Sequence, residues 1–197
     1  MTFEKYSIKT QIILALIFAP LNVFTSYLFT QVLKGPFFMD MIFIYAASFF
    51  GVICGVIVGI IHCFWTAIFW QHNLLHALYG ICCVTGTLFT WLLITRYKTL
   101  EGHSAFWSRV ALLIFVSTVV ISLEGSLVYY FFLSHVEDYT EEQTIMFLTY
   151  TLVLQNIGLQ LSAFLARLPV NLFDKAIAVF GGLGIFLGVR KLCFRSQ

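Results

Sequence analysis

From Phe37 to Trp70 the chain carries one formal charge, Asp40. A helix needs about 20 apolar residues to cross the hydrocarbon core of a bilayer, because each residue advances about 1.5 Å through a layer about 30 Å thick. This stretch is too long for one such helix, so it is expected to hold two spans, 37–50 and 51–70, turning near Phe50-Gly51. Comparable runs occupy Ile8–Val32, interrupted by Pro20 and followed by Lys34-Gly35-Pro36, and then 74–95 and 105–133, separated by the basic Arg96-Tyr97-Lys98. Composition agrees. Of 197 residues 60% are hydrophobic and 10% charged, whereas a soluble domain carries about 25% charged residues. The expected fold is all-α: a polytopic membrane helix bundle forming a single membrane domain over 1–197, with about six transmembrane helices.

The last apolar stretch, Thr144 to Leu192, is broken in sequence at Arg167-Leu168-Pro169. A final span over 170–191 follows, and 145–166 is expected to be a tilted or re-entrant helix. The charges give this count. Cytoplasmic loops retain Lys and Arg. Lys5 and Lys9, then Arg96, Lys98 and Arg109, then Arg190, Lys191 and Arg195 all fall on one side if the chain crosses six times. Both termini are then cytoplasmic, the acidic segment from Glu137 to Glu142 is external, and the location is the cell membrane, multi-pass. The first run is longer than a signal-peptide core and no small-residue cleavage pattern closes it, so a retained span is expected.

Composition also excludes some functions. A net charge of +2 is too small for a nucleic-acid footprint, and the basic residues sit at segment ends. The five cysteines, Cys54, Cys63, Cys82, Cys83 and Cys193, form no CxxC pair and read as reduced thiols within apolar runs. No nucleotide-binding loop, HExxH or GxSxG motif is present. The chain is therefore expected not to be an enzyme and to hold no cofactor or metal, with energy for any transport supplied by a partner.

Small residues recur at helical spacing. Gly51, Gly55 and Gly59 line one face and allow a second helix to approach closely, as do Ala15 and Ala19 on the first span and Gly181, Gly182, Gly184 and Gly188 on the last. Ionisable residues at membrane depth usually face a cavity or a partner. Glu124 either faces a polar cavity or reaches the outer boundary. Asn171, Asp174 and Lys175 project around one helical turn; a snorkelling boundary pair is the plain reading of the last two. His72 and His76 are four residues apart, a spacing that suits a shared metal if both lie on one helix, but no further ligand is visible nearby.

Four features together resemble the substrate-binding S component of an energy-coupling factor (ECF) transporter. The first helix carries Ala15-x-x-x-Ala19. The loop Gly35-Pro36-Phe37-Phe38-Met39-Asp40 leads into a second helix. A glycine-rich third segment runs from Phe50-Gly51 to Gly59, and Leu168-Pro169-Val170-Asn171-Leu172-Phe173-Asp174-Lys175 is similar to the family's proline-asparagine lead-in to its last helix. The resemblance implies six helices, an externally open small-molecule site capped by the first loop, and a complex with a membrane scaffold protein and two cytoplasmic ATPases. Ala15 and Ala19 would be the scaffold contact. Members that carry nickel or cobalt place a histidine directly after the initiator methionine; here that position is Thr2, which disfavours a divalent-metal substrate.

The function expected from these readings is capture of a vitamin or similar small organic molecule. Its substrate-binding residues would be Asp40, Asn73, Tyr79, Asn171, Asp174 and Lys175, with Phe37 and Phe38 covering the ligand. The partners would be the substrate, membrane lipid and the ECF module. A multispan sensory module and an assembly subunit without transport activity are the alternatives.

Overall fold

The computed structural model describes residues 6–35, 38–97, 102–135 and 143–193. Seven α-helices and no strand occur among them: α1 (Ile8–Tyr27), α2 (Ile42–Phe50), α3 (Val52–Phe69), α4 (Gly80–Thr90), α5 (His103–His135), α6 (Gln143–Leu154) and α7 (Leu159–Cys193). A wider π-type turn extends α1 to Val32, a 3₁₀ segment over Leu74–Tyr79 leads into α4, and a second π-type turn carries α4 to Thr95. Five continuous helical stretches are long and apolar enough to cross a membrane: Ile8–Val32, Val52–Phe69, Leu74–Thr95, Ser104–Phe132 and Leu159–Cys193. The protein is an all-α membrane helix bundle.

Six of the helices, α1 to α5 and α7, alternate in direction. Gln11, near the start of α1, reaches the α2–α3 junction, where its Oε1 accepts from the Cys54 N–H at 3.4 Å. Tyr27, at the far end of α1, packs on Trp70 at the far end of α3, with ring centroids 5.6 Å apart. α1 and α3 are therefore parallel, and α2 has returned the chain between them. α5 and α7 run antiparallel, since Asn171 meets Ser122 while Trp107 meets Phe180. α7 runs parallel to α2, with Gly182 beside Ile42 and Tyr45 and Phe186 beside Phe49 and Phe50. The N- and C-terminal helix ends thus lie at one end of the bundle. Arg109 is at that end too, donating to the Leu93 carbonyl at 3.1 Å and covering the Tyr97 ring at 3.9 Å.

Two expected boundaries are corrected. Among the described residues of the span placed at 37–50, only Ile42–Phe50 is helical; residues 38–41 are non-helical. Nine residues rise only about 14 Å, about half of the hydrocarbon core. The non-helical segment survives because side chains satisfy its backbone, as irregular chain at membrane depth requires. The Met39 N–H donates to Asp174 Oδ1 at 2.9 Å, Asn22 Nδ2 donates to the Asp40 carbonyl, and the Phe43 N–H donates to Asn22 Oδ1 at 3.1 Å.

The second correction concerns the last stretch. The helix does not break at Arg167-Leu168-Pro169; α7 continues through Pro169 without interruption. Proline leaves one carbonyl without its helical donor, and Ala166 and Val170 on either side are buried against Ile145 of α6, which holds the helix together there. The reversal lies at 155–158 instead. Asn156 adopts φ +64°, a left-handed conformation that Asn tolerates better than most residues, and its N–H bonds the Val153 carbonyl at 2.9 Å. The helix expected over 145–166 is thus two pieces: α6, at 12 residues too short to cross alone, and the first turns of α7. The spans expected at 51–70, 74–95 and 105–133 correspond to α3, to Leu74–Thr95 and to most of α5.

Lipid is as apolar as a leucine side chain, so close packing rather than expulsion from water holds such helices together. A close approach to backbone joins α2 to α7. A Cβ at Gly182 would lie 2.8 Å from the Ala46 backbone nitrogen and 2.9 Å from the Ile42 carbonyl oxygen. The Gly51–Gly55–Gly59 face is also used inside the chain, with Gly55 against Ser48 and Thr87 and Gly59 against Cys83.

Candidate functional site

Asn22, buried on α1, grips both sides of the turn from residues 38–41 into α2. The turn is thereby fixed against α7, where Asp174 takes the Met39 N–H with one oxygen and the Lys175 ammonium, 2.7 Å away, with the other. Lys175 Nζ also faces Asp40 Oδ1 at 3.9 Å. Asp174 is fully buried and Lys175 is 2% exposed. One ammonium therefore serves two carboxylates inside the bundle, an arrangement tolerated where the groups neutralise and solvate one another.

This cluster forms one wall of a cavity of about 430 Å³, within the range of small-molecule sites. The cavity lies towards the end of the bundle away from the termini, between the far ends of α1 and α3, the start of α4, the second half of α5 and the first half of α7. Asp40, Tyr79, Asn171 and Lys175 line it, as does Phe38. Asn171 is buried and donates to Ser122 Oγ at 2.9 Å, which ties α7 to α5 beside the cavity. Asp174 does not line the cavity; it stands behind, holding Lys175 and the loop. Asn73 is not a lining residue either: its Oδ1 accepts from the Leu75 N–H at 3.0 Å and caps the 3₁₀ segment. Phe37 and the segment from Glu137 to Glu142 lie outside the described residues.

Ala15 and Ala19 are at 0% and 1% exposure. They belong to the core that α1 forms with its neighbours, so the close approach they permit is internal and no scaffold can reach them on the folded chain. The exposed side of α1 carries Ile8, Ile12, Ile13, Leu16 and Ile17. His72 sits in the turn before the 3₁₀ segment at φ +50° and is exposed, whereas His76 belongs to that segment and lines the cavity. The two do not share a helix. Glu124 is half-buried, accepts from Thr85 Oγ1 at 2.6 Å, and does not line the cavity.

Sequence reasoning passed over His62 and Arg167, both lining residues. His62 is 4% exposed in an otherwise apolar stretch of α3, and Arg167 is 2% exposed on α7. The rule that an intramembrane ionisable residue marks a site would have found His62. Arg167 stands in sequence at the expected break Arg167-Leu168-Pro169, which hides it. Its guanidinium donates to the Ala163 carbonyl at 2.9 Å and lies 4.9 Å above the Tyr129 ring, so it belongs to helix packing as well as to the cavity wall.

Comparison with protein-family models, with curated proteins and with solved structures gives no match.

Proposed function

We propose that this protein is the membrane-embedded capture subunit of an ECF-type uptake transporter, holding a small organic molecule in the cavity between its helices. The cavity is the observation that carries the reading. It has the volume of a small-molecule site, it is walled on one side by the loop that joins α1 to α2, and it mixes charged groups with aromatic surface from Phe38, Trp70 and Tyr79. Lys and Arg gather at the end that holds the termini, with Arg96, Arg109, Arg190 and Lys191 among the described residues. That distribution favours cytoplasmic termini and a cavity on the outer side of the cell membrane. Reorientation and release would be driven by a membrane scaffold protein and two cytoplasmic ATPases, docking on the lipid-facing surface rather than at Ala15 and Ala19.

The test is purification from its own membranes in mild detergent, followed by native mass spectrometry and extraction of bound small molecules. A stoichiometric organic ligand together with co-purifying ATPases is the expected result. A protein that carries no ligand and associates with no ATPase overturns the proposal.

A further inference from the structure

Three cysteines line the cavity: Cys63 on α3, and Cys82 and Cys83 on α4. Two of them touch. Cys63 Sγ and Cys83 Sγ lie 3.5 Å apart, and both residues are buried, at 5% and 3% exposure. Successive residues of a helix point about 100° apart, so Cys82 turns to a different side of α4 from Cys83. No three His, Cys, Asp or Glu side chains among the described residues converge closely enough to hold a metal ion. The pair is therefore treated as a dithiol rather than as half of a metal centre.

Glycine on both helices builds this contact. Each cysteine lies over a glycine of the other helix: a Cβ at Gly59 would stand 2.7 Å from Cys83 Cβ, and one at Gly80 would stand 3.7 Å from Cys63 Cβ. Gly59 is four residues before Cys63 and Gly80 three before Cys83, so each glycine shares a helix face with the cysteine that follows it. Small residues at such positions let two helices approach closely, and here the approach brings the sulfurs together. A disulfide needs them about 2.05 Å apart, which leaves about 1.5 Å to close, a movement on the scale of a side-chain torsion rather than of a helix. A bridge between them would close a loop that carries Trp70, Gln71, His76 and Tyr79, four residues of the cavity lining.

We infer that Cys63 and Cys83 are a redox-active pair, which a small hydroperoxide entering through the cavity closes into a disulfide that clamps α3 to α4. With hydrogen peroxide, one sulfur attacks a peroxide oxygen, the O–O bond breaks, and the first water leaves with the thiol proton. The product is a sulfenic acid. The second sulfur then attacks the first, the S–O bond breaks, and the second water carries away the other thiol proton. Two electrons pass from the thiols to the peroxide, so two thiols and one peroxide give one disulfide and two waters. The inference does not depend on which molecule the cavity holds.

The test treats the full chain in nanodiscs with hydrogen peroxide, as the Cys193→Ser variant so that the exposed thiol is absent, and then alkylates in denaturant and maps the peptides. A Cys63–Cys83 bridge is expected, with Cys54 and Cys82 still alkylated as thiols. Adding Cys63→Ser should abolish the bridge and leave Cys83 as a sulfenic acid that dimedone labels. Hydrogen exchange over 70–79 should slow by at least about tenfold in the bridged form, since a disulfide restrains the loop it closes. Thiols left unbridged, oxidation to sulfinic acid without a bridge, or a bridge that takes Cys82 in place of either partner overturns the inference. Unchanged exchange in a bridged protein overturns the clamp.

Discussion

Lys175 Nζ lies 2.7 Å from Asp174 Oδ2, the carboxylate of its own chain neighbour, while the other oxygen of that carboxylate holds the Met39 N–H across 135 residues of sequence. The pair is thus the rivet between α7 and the non-helical segment before α2. It is a structural element of the cavity wall rather than a pair reaching for the membrane boundary.

Removing the cation alone should be severe. Lys175→Met leaves two carboxylates facing each other in the interior, a change that costs about 3–5 kcal/mol when one partner of a buried pair is lost. Lys175→Met combined with Asp174→Asn should recover a large part of that loss. Denaturant titration of the purified variants in nanodiscs gives both values, and a double variant no better than the single one would show that the pair acts independently of its charge.

Asn22→Ala should loosen the same loop from the other side. It strips the partner from the Asp40 carbonyl and the Phe43 N–H, at about 1–3 kcal/mol for each buried group left unsatisfied. Hydrogen exchange at the Phe43 amide should accelerate markedly and the thermal midpoint should fall. Wild-type protection at that amide would mean that other contacts fix the turn.

The α2–α7 contact can be probed with one methyl group. Gly182→Ala places a Cβ under 3 Å from the backbone of α2, and backbone cannot swing aside as a side chain can, so a destabilisation of about 1–3 kcal/mol is expected. Gly184→Ala, two residues further along, meets nothing within 4 Å and should be neutral. Comparing the two midpoints separates packing from helix propensity.

Thiol labelling reads both burial and orientation. Cys193 is exposed and the other four cysteines are buried, so a maleimide should modify the detergent-solubilised protein quickly at Cys193 and slowly elsewhere. In intact cells an impermeant reagent should spare Cys193 and modify a Lys34→Cys variant, whose position is exposed at the opposite end. The reverse pattern would invert the proposed orientation.

The sequence by itself determined the class of the fold and the approximate position of most spans. Each follows from local apolar length, because an unbroken run of about 20 residues is sufficient to cross a bilayer whatever lies beside it. Asp40, Asn171, Asp174 and Lys175 were also legible, since a charge or an amide within such a run stands out against its neighbours. Tertiary structure decided the rest. In water the inward face of a helix is marked by contrast with a polar one; in lipid both faces are apolar. Ile12 and Phe18 on α1 look alike in sequence, yet Ile12 is exposed and Phe18 buried, and the burial of Ala15 and Ala19 could not be read for the same reason. The shortness of α2 and the continuity of α7 through Pro169 are likewise set by partners distant in sequence, Asn22 and Asp174 for the first and Ile145 for the second. Those partners satisfy or brace backbone that local preference alone would have assigned differently.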